Sequence, residues 1–190
     1  MNFPALTVEP ASGRLTQARQ VESPNFDARP DGVTPDLIVI HGICLPPNEF
    51  GGPWIEALFL NRLPWDEHPY FKQIEGLKAS SHLLIRRDGE LVQYVSFNDR
   101  AWHAGVSNYR GRERCNDFSI GIELEGADAI AYESLQYRVL ANTIHALSAA
   151  YAALTAERLV GHSDIAPGRK TDPGDAFDWP RLRALLRATT

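Results

Sequence analysis

Residues 118–124 read FSIGIEL, and this strict alternation predicts a β-strand whose two faces differ in character. One face carries the apolar residues Phe118, Ile120, Ile122 and Leu124. The other face carries Ser119, Gly121 and Glu123, and it has no apolar requirement of its own. We therefore expect Glu123 to project from a rigid strand on the side away from the apolar core.

Further patterns around this strand predict a mixed set of strands and helices. Residues 36–41 form a short apolar run, typical of a buried strand, and residues 80–87 and 91–97 flank Asp88-Gly89, a strong hairpin signal. Apolar residues at steps of three and four predict an amphipathic helix over 133–151. Shorter helices are predicted after Pro53 and from Asp178 onwards. These elements predict the α/β class, with a central mixed sheet flanked by helices.

The chain length favours a single domain over residues 1–190, because 190 residues fall within the usual size of one domain. Residues 1–35 are rich in Pro, Ser, Asp and Arg and show little periodicity. We expect them to form an irregular N-terminal arm that packs on the domain.

Composition and charge exclude several classes of protein and partner. With 44% apolar and 23% charged residues, the chain is neither collagen-like nor disordered. The formal charge of −5 and the scattered basic residues argue against nucleic-acid binding. No apolar run is long enough to cross a membrane, and the start lacks a signal-peptide pattern, so we expect a cytoplasmic protein. Cys44 and Cys115 are expected to be free thiols.

Two histidines and one aspartate are candidate metal ligands. His41 ends the predicted strand 36–41, His162 follows Val160-Gly161, and Asp172 lies in a loop rich in Pro and Gly. Two imidazoles and a carboxylate fit a catalytic Zn²⁺ site, because three protein ligands leave the fourth position open. The spacing alone is also compatible with solvated loop residues. The nearby Lys170 and the position of Glu123 favour the metal site.

Five blocks of sequence, in one order, resemble a known enzyme family. They are residues 40–41, 45–54 (LPPNEFGGPW), 100–107 (RAWHAGVS), 111–126 (GRERCNDFSIGIELEG) and 161–174 (GHSDIAPGRKTDPG). These blocks resemble the zinc N-acetylmuramoyl-L-alanine amidases related to the peptidoglycan recognition proteins and a bacteriophage lysozyme. Within that family they are similar to the cytoplasmic branch that acts on 1,6-anhydro-muropeptides. The resemblance spans roughly residues 21–181 and implies a peptidoglycan-recognition-protein-like amidase fold.

The resemblance implies that His41, His162 and Asp172 hold one Zn²⁺, with Glu123 and Lys170 beside it as catalytic residues. Glu123 is then the general base, and Lys170 faces the oxyanion that develops during amide hydrolysis. The implied reaction cleaves the amide between the lactyl group of N-acetylmuramic acid and L-alanine. The implied substrate is a small-molecule muropeptide imported during peptidoglycan recycling. The resemblance also links loss of the enzyme's activity to β-lactamase induction. We expect a monomer.

Three further residues are candidates for substrate binding. Trp102 and His103 can stack on or hydrogen-bond to the amino sugar, and the guanidinium of Arg114 suits carboxylates of the stem peptide. The alternative for Trp102 is a structural position in the core, and the alternative for Arg114 is a position in a solvated basic turn. The family more often has Asn where this chain has Gly42 and Arg where it has Lys78.

Two other functions remain open at the level of sequence. A broad-specificity or lytic amidase shares the same zinc site but acts on polymeric peptidoglycan. A non-catalytic muropeptide-binding module is the other alternative, and such modules typically lose a metal ligand, whereas all three candidate ligands are present here.

Overall fold

A six-stranded mixed sheet lies at the centre of the computed structural model, which describes residues 5–188. The first four residues of the predicted arm, together with residues 189–190, lie outside the described part of the chain. The strands are β1 (Val8–Glu9), β2 (Arg14–Leu15), β3 (Arg19–Gln20), β4 (Phe26–Ala28), β5 (Leu37–Ile43), β6 (Leu83–Ile85), β7 (Leu91–Gln93), β8 (Asp99–Ala101), β9 (Asn108–Tyr109), β10 (Arg112–Glu113), β11 (Ser119–Glu125) and β12 (Leu159–Gly161). The α-helices are α1 (Trp54–Phe59), α2 (Pro69–Gln73), α3 (Ser134–Ala150), α4 (His162–Ile165) and α5 (Trp179–Ala188), and 3-10 turns lie at Cys115–Asp117 and Ala156–Arg158.

The strand order β12-β5-β11-β6-β7-β3 confirms the predicted central mixed sheet. Strands β12, β5, β11 and β6 are parallel, β7 is antiparallel to β6, and β3 is parallel to β7. In the pairing of β11 with β5, Glu123 lies directly opposite His41. Paired residues of neighbouring strands share a face of the sheet, so these two side chains point the same way.

The predicted hairpin is confirmed, although its strands are shorter than expected. Strands β6 and β7 pair around a turn in which Gly89 has a φ of +85° and donates its N–H to the Arg86 carbonyl. A positive φ at this position explains the Asp-Gly signal. Beyond these strands, Tyr94 donates its N–H to the His82 carbonyl at 2.9 Å, so the pairing extends one step past the assigned strand ends.

Both faces of the sheet are covered. One face packs on α3 and α5, and the predicted helices over 133–151, after Pro53 and near Asp178 are all confirmed. The opposite face packs on α1, α2 and the loops around Tyr109 and Phe118. All seven residues of β11 are therefore buried, because crossover connections between parallel strands place elements on both faces. Ile120, Ile122 and Leu124 belong to the core beside α3 and α5, whereas Glu123 lines a cavity, so it projects away from that core as expected.

The N-terminal arm packs on the domain but is not irregular throughout. Strands β1 and β2 pair with each other, β3 joins the edge of the central sheet beside β7, and β4 pairs with β8. These strands are two or three residues long, so they show no hydrophobic period in the sequence. Both cysteines are free, as expected. Within residues 5–188 we find no helix with the length and apolar content needed to cross a bilayer.

Candidate metal centre and active site

The three candidate ligands come together at one edge of the central sheet. His41 lies near the carboxyl end of β5, and His162 begins α4 directly after β12, the neighbour of β5. Because β5 and β12 are parallel, their carboxyl ends meet at the same edge. Asp172 follows α4 in a loop that is closed by the hydrogen bond from the Ser163 N–H to the Asp172 carbonyl, at 3.0 Å.

The three ligand atoms form a nearly equilateral triangle. The Nδ1 atoms of His41 and His162 are 3.0 Å apart, and Asp172 Oδ2 lies 3.2 Å from the first and 3.1 Å from the second. Ligands held about 2.0–2.1 Å from a tetrahedral zinc lie roughly 3.3–3.4 Å from one another. The triangle therefore has almost the size that one zinc ion requires.

The contact between His162 and Ala104 indicates which ring nitrogen of His162 has a free lone pair, and that nitrogen is Nδ1. His162 Nε2 lies 3.2 Å from the carbonyl oxygen of Ala104, which can only accept a hydrogen bond. Nε2 therefore carries the proton of the neutral ring, and Nδ1 presents its lone pair to Asp172 and His41. This is the tautomer that metal ligation at Nδ1 needs. The residues at the site thus fit a zinc ion.

Burial and hydrogen bonding give His41 and Asp172 the ionisation states that a zinc site requires. Burial lowers the pKa of His41 to about 4, so its ring is neutral at pH 7. Burial alone raises the pKa of Asp172, but hydrogen bonds with His162 and His41 outweigh it and hold the pKa well below the usual range. At pH 7 His41 is therefore a neutral imidazole and Asp172 a carboxylate.

Glu123 and Lys170 line the same cavity, which has a volume of about 550 Å³. The Glu123 side chain is buried, and among the described residues its Oε2 has no hydrogen-bond partner. Burial raises the pKa of Glu123 well above its usual value, the charge of Asp172 adds to this rise, and Lys170 opposes it. A carboxyl group with a raised pKa and an unpaired oxygen is suited to exchanging a proton with a bound water or substrate.

The three predicted substrate-binding residues occupy different places. His103 lines the cavity, but its Nδ1 lies 2.9 Å from His41 Nε2 and its Nε2 lies 3.2 Å from Ser119 Oγ. Trp102 is half-buried and is not among the residues that line the cavity. Arg114 is exposed, forms an ion pair with Asp117 at 3.2 Å and lies in a separate surface groove.

Three residues around His103 were missed by the sequence analysis. Asn116 Oδ1 accepts the backbone N–H groups of His103 and Ala104, at 3.1 and 2.7 Å. Gly121 leaves room for the His103 ring, because a Cβ atom at Gly121 would lie 2.4 Å from the ring. Ser119 bonds to the ring directly. The alternation of residues 118–124 had placed Ser119, Gly121 and Glu123 on one face, and that shared face was the available signal.

Comparison with known proteins by sequence gives two consistent findings. Residues 31–175 match the family model described as N-acetylmuramoyl-L-alanine amidase. A 1,6-anhydro-N-acetylmuramyl-L-alanine amidase, AmpD, of Salmonella typhimurium (strain SL1344) is 61% identical over 177 residues, covering 93% of this chain and 94% of the relative.

Two solved structures show the same likeness in three dimensions. The crystal structure of a selenomethionine AmpD derivative has a TM-score of 0.90 at 59% identity, covering 92% of this chain and 97% of that one. The crystal structure of AmpDh3 from Pseudomonas aeruginosa in complex with an anhydromuramic pentapeptide has a TM-score of 0.60 at 30% identity. That match covers 82% of this chain and 61% of the other.

Proposed function

This chain belongs to the N-acetylmuramoyl-L-alanine amidase family, and on that premise we propose that it hydrolyses 1,6-anhydro-muropeptides in peptidoglycan recycling. The bond cleaved is the amide between the lactyl group of 1,6-anhydro-N-acetylmuramic acid and L-alanine. The products are the free stem peptide and the anhydro sugar.

The convergence of His41 Nδ1, His162 Nδ1 and Asp172 Oδ2 within 3.2 Å of one another is the observation that carries the proposal. These three residues would hold one zinc ion, because each offers one ligand atom to the same point. When bound, zinc supplies a Lewis acid that polarises the amide carbonyl and makes a water molecule more acidic.

Glu123 and Lys170 perform the remaining chemistry in this proposal. Glu123 accepts the proton of the attacking water at Oε2, the oxygen that has no partner among residues 5–188, and later delivers it to the leaving amine. Lys170 places its ammonium group at the cavity, where it stabilises the negative charge that develops on the amide oxygen.

The substrate class is proposed from the relatives and from the cavity. The Salmonella relative is named for the 1,6-anhydro substrate, and AmpDh3 was solved with an anhydromuramic pentapeptide. The cavity of about 550 Å³ lies within the range of small-molecule sites, and Leu58, Phe59 and Ile74 give it an apolar wall. We expect residues 1–190 to act as one domain, as a cytoplasmic monomer that binds neither nucleic acid nor membrane.

Mass-spectrometric detection of stem-peptide release from anhydro-muropeptide tests this function. The protein is assayed as purified, after removal of metal with a chelator, and after zinc is restored. We expect release to disappear with the metal and to return with zinc. Isolated wall sacculi are assayed in parallel.

A pair of aspartate variants makes the test specific. Asp172→Ala should lose both zinc and peptide release, whereas Asp175→Ala, an exposed aspartate three residues away, should keep both. Faster turnover of sacculi than of anhydro-muropeptide would support the lytic alternative. A folded, zinc-bound protein that releases no peptide would support the binding module instead.

A further inference from the structure

His103 lies directly behind the metal ligand His41, and both of its ring nitrogens are engaged by protein groups. Its Nδ1 is 2.9 Å from His41 Nε2, and its Nε2 is 3.2 Å from Ser119 Oγ. The two rings meet edge to face, with centroids 5.0 Å apart. Both nitrogens of His103 are thus used before any substrate arrives, so a role in hydrogen-bonding the sugar does not fit this geometry.

The donor and acceptor of each hydrogen bond between His41, His103 and Ser119 can be assigned by starting from the Cys115 carbonyl, which Ser119 contacts. The Ser119 hydroxyl is 2.5 Å from the backbone carbonyl of Cys115, which can only accept, so Ser119 donates to it. The oxygen of Ser119 must then accept from His103 Nε2–H. A neutral His103 that is protonated at Nε2 has a lone pair at Nδ1, and it accepts the Nε2–H of His41. His41 is consequently left with its lone pair at Nδ1, the atom that faces His162 and Asp172.

Ala104, the residue after His103, orients the second histidine ligand, His162. The carbonyl of Ala104 accepts the Nε2–H of His162 at 3.2 Å. The side-chain oxygen of Asn116 accepts the backbone N–H groups of both His103 and Ala104, so one amide fixes the loop that carries both acceptors. Two consecutive residues of a single loop therefore orient two ligands that lie 121 positions apart in the sequence.

His82 provides an internal comparison, because it is buried beside His103 yet stands outside this chain of groups. The two ring centroids are 5.7 Å apart. His82 Nδ1 accepts the N–H of Gly121 at 3.0 Å, and its Nε2 lies 3.1 Å from the Asp99 carbonyl. Arg29 Nη2 also lies 3.1 Å from His82 Nε2, so the nitrogens of His82 contact backbone groups and a buried arginine but none of the metal-ligand residues.

We infer that His103 is a positioning residue for the metal centre, which acts by fixing the tautomer and orientation of His41 through the ordered sequence His41, His103, Ser119 and the Cys115 carbonyl. This inference rests on the proposed zinc site. Hydrogen-bond partners of metal-ligating histidines typically contribute about 10- to 100-fold to metal affinity. His103 accordingly raises zinc affinity without touching the ion or the substrate.

Zinc affinity of the full-length chain, measured by competition with a chelator of known affinity, is the first test. His103→Phe removes both ring nitrogens and should weaken zinc binding about 10- to 100-fold. Ser119→Ala removes the acceptor of His103 Nε2–H together with the hydroxyl that donates to the Cys115 carbonyl, at a buried position where a smaller side chain fits, and should weaken zinc binding severalfold. The matched control is Ser81→Ala, because Ser81 is also fully buried and also donates its hydroxyl to a backbone carbonyl. Its zinc affinity should stay within twofold of the unaltered protein.

Nitrogen NMR of the histidine rings supplies a readout that a merely structural role would not move. In the zinc-loaded, unaltered protein we expect His41, His103 and His162 to carry their protons on Nε2. In Ser119→Ala we expect His103 to become a mixture of its two tautomers, whereas Ser81→Ala should leave the spectrum unchanged. Circular dichroism establishes that each variant is folded, and Ser119→Ala keeps the test valid if His103→Phe does not fold.

The outcomes separate this inference from the proposed function. A His103 ring protonated on Nδ1 in the unaltered protein, or variant affinities equal to that of Ser81→Ala, would refute the positioning role while leaving the zinc amidase proposal intact. An unaltered protein that fails to bind zinc would refute both.

Discussion

Glu123 combines two properties that rarely coexist in a residue with a purely structural role. It is 8% exposed, and among the described residues its Oε2 has no hydrogen-bond partner, although buried polar atoms are nearly always bonded. The position opposite His41 in the sheet register places this carboxyl beside the metal ligands without making it one of the three converging atoms. Its loss should therefore affect the chemical step and leave the metal in place.

Glu123→Gln should keep zinc and lower kcat about 10²- to 10⁴-fold, the usual contribution of a general base. The amide has nearly the shape of the carboxyl but cannot accept the proton. Metal content and steady-state kinetics are measured on the same sample, with Glu75→Gln as an exposed glutamate control. Turnover near that of the control would rule out Glu123 as the base.

Lys170→Met should reduce kcat more than it changes KM. The ammonium group interacts with charge that forms on the amide oxygen mainly in the transition state, so ground-state binding depends on it less. The control is Lys72→Met, because Lys72 is exposed and pairs only with Asp66 within the described residues. If KM rises while kcat is unchanged, the lysine binds substrate and does not stabilise the oxyanion.

At the scale of elements, an ion-pair cluster joins the N-terminal arm to the rest of the molecule. Arg100 of β8 donates to both carboxylate oxygens of Asp27 in β4, each at 2.5 Å. It also donates to Asp117 at 2.9 Å. The hydrogen bond from Arg100 is the main cause that lowers the pKa of Asp27. The folded chain therefore binds this proton less tightly than the unfolded chain does. The resulting stabilisation is present above about pH 4 and is lost as the pH falls through the lowered pKa.

Asp27→Asn should lower the free energy of unfolding at pH 7 by only about 0.5 kcal/mol, because the Asp27 side chain is 43% exposed to screening solvent. The difference from the unaltered protein should shrink as the pH is lowered from 4 to 3. Urea unfolding at pH 7, 4 and 3 measures it, with the exposed Asp31→Asn as control. A difference that does not depend on pH would mean that the pair contributes through packing alone.

Elements with a clear local period could be predicted from the sequence, and elements defined by distant partners could not. The alternation of 118–124 and the Asp88-Gly89 turn predicted β11 and the hairpin because neighbouring residues determine both. Strand β3 is two residues long and exists by pairing with β7, more than seventy positions away in the register Arg19 with Val92. No local pattern contains that information.

The same limit applies to the candidate site. Residue types and the family resemblance suffice to nominate the residues that the structure groups around the cavity, such as His41, Asp172 and Glu123. The direction of a loop side chain is set by the elements packed against it. His103 therefore turned out to face His41 and Ser119, and Trp102 and Arg114 do not line the cavity.

At the scale of the whole molecule, the candidate metal centre joins parts of the chain that are far apart in sequence. His41 lies 121 positions from His162 and 131 positions from Asp172. An ion that binds only the folded arrangement stabilises it, by about 2.7 kcal/mol when the free ion is at 100 times its Kd. For a chain of about this size, each kcal/mol corresponds to roughly 2–4 °C in Tm.

Zinc should accordingly raise Tm by about 5–10 °C over the chelator-treated protein. Calorimetry with and without zinc measures the shift. Asp172→Ala should lose most of it, and Asp175→Ala should retain it. Equal Tm values in both conditions would show that no ion links these parts of the chain.

The wide spacing of the ligands also has a consequence for the protein while it is being made. Translation delivers His41 early, His162 much later, and Asp172 after both. Strand β12, which places His162 beside His41, is also translated late. A ribosome-bound chain that stops short of Asp172 therefore lacks the carboxylate of the centre. Hydrolytic activity should therefore appear only after Asp172 has been translated, and products truncated before that residue should carry none.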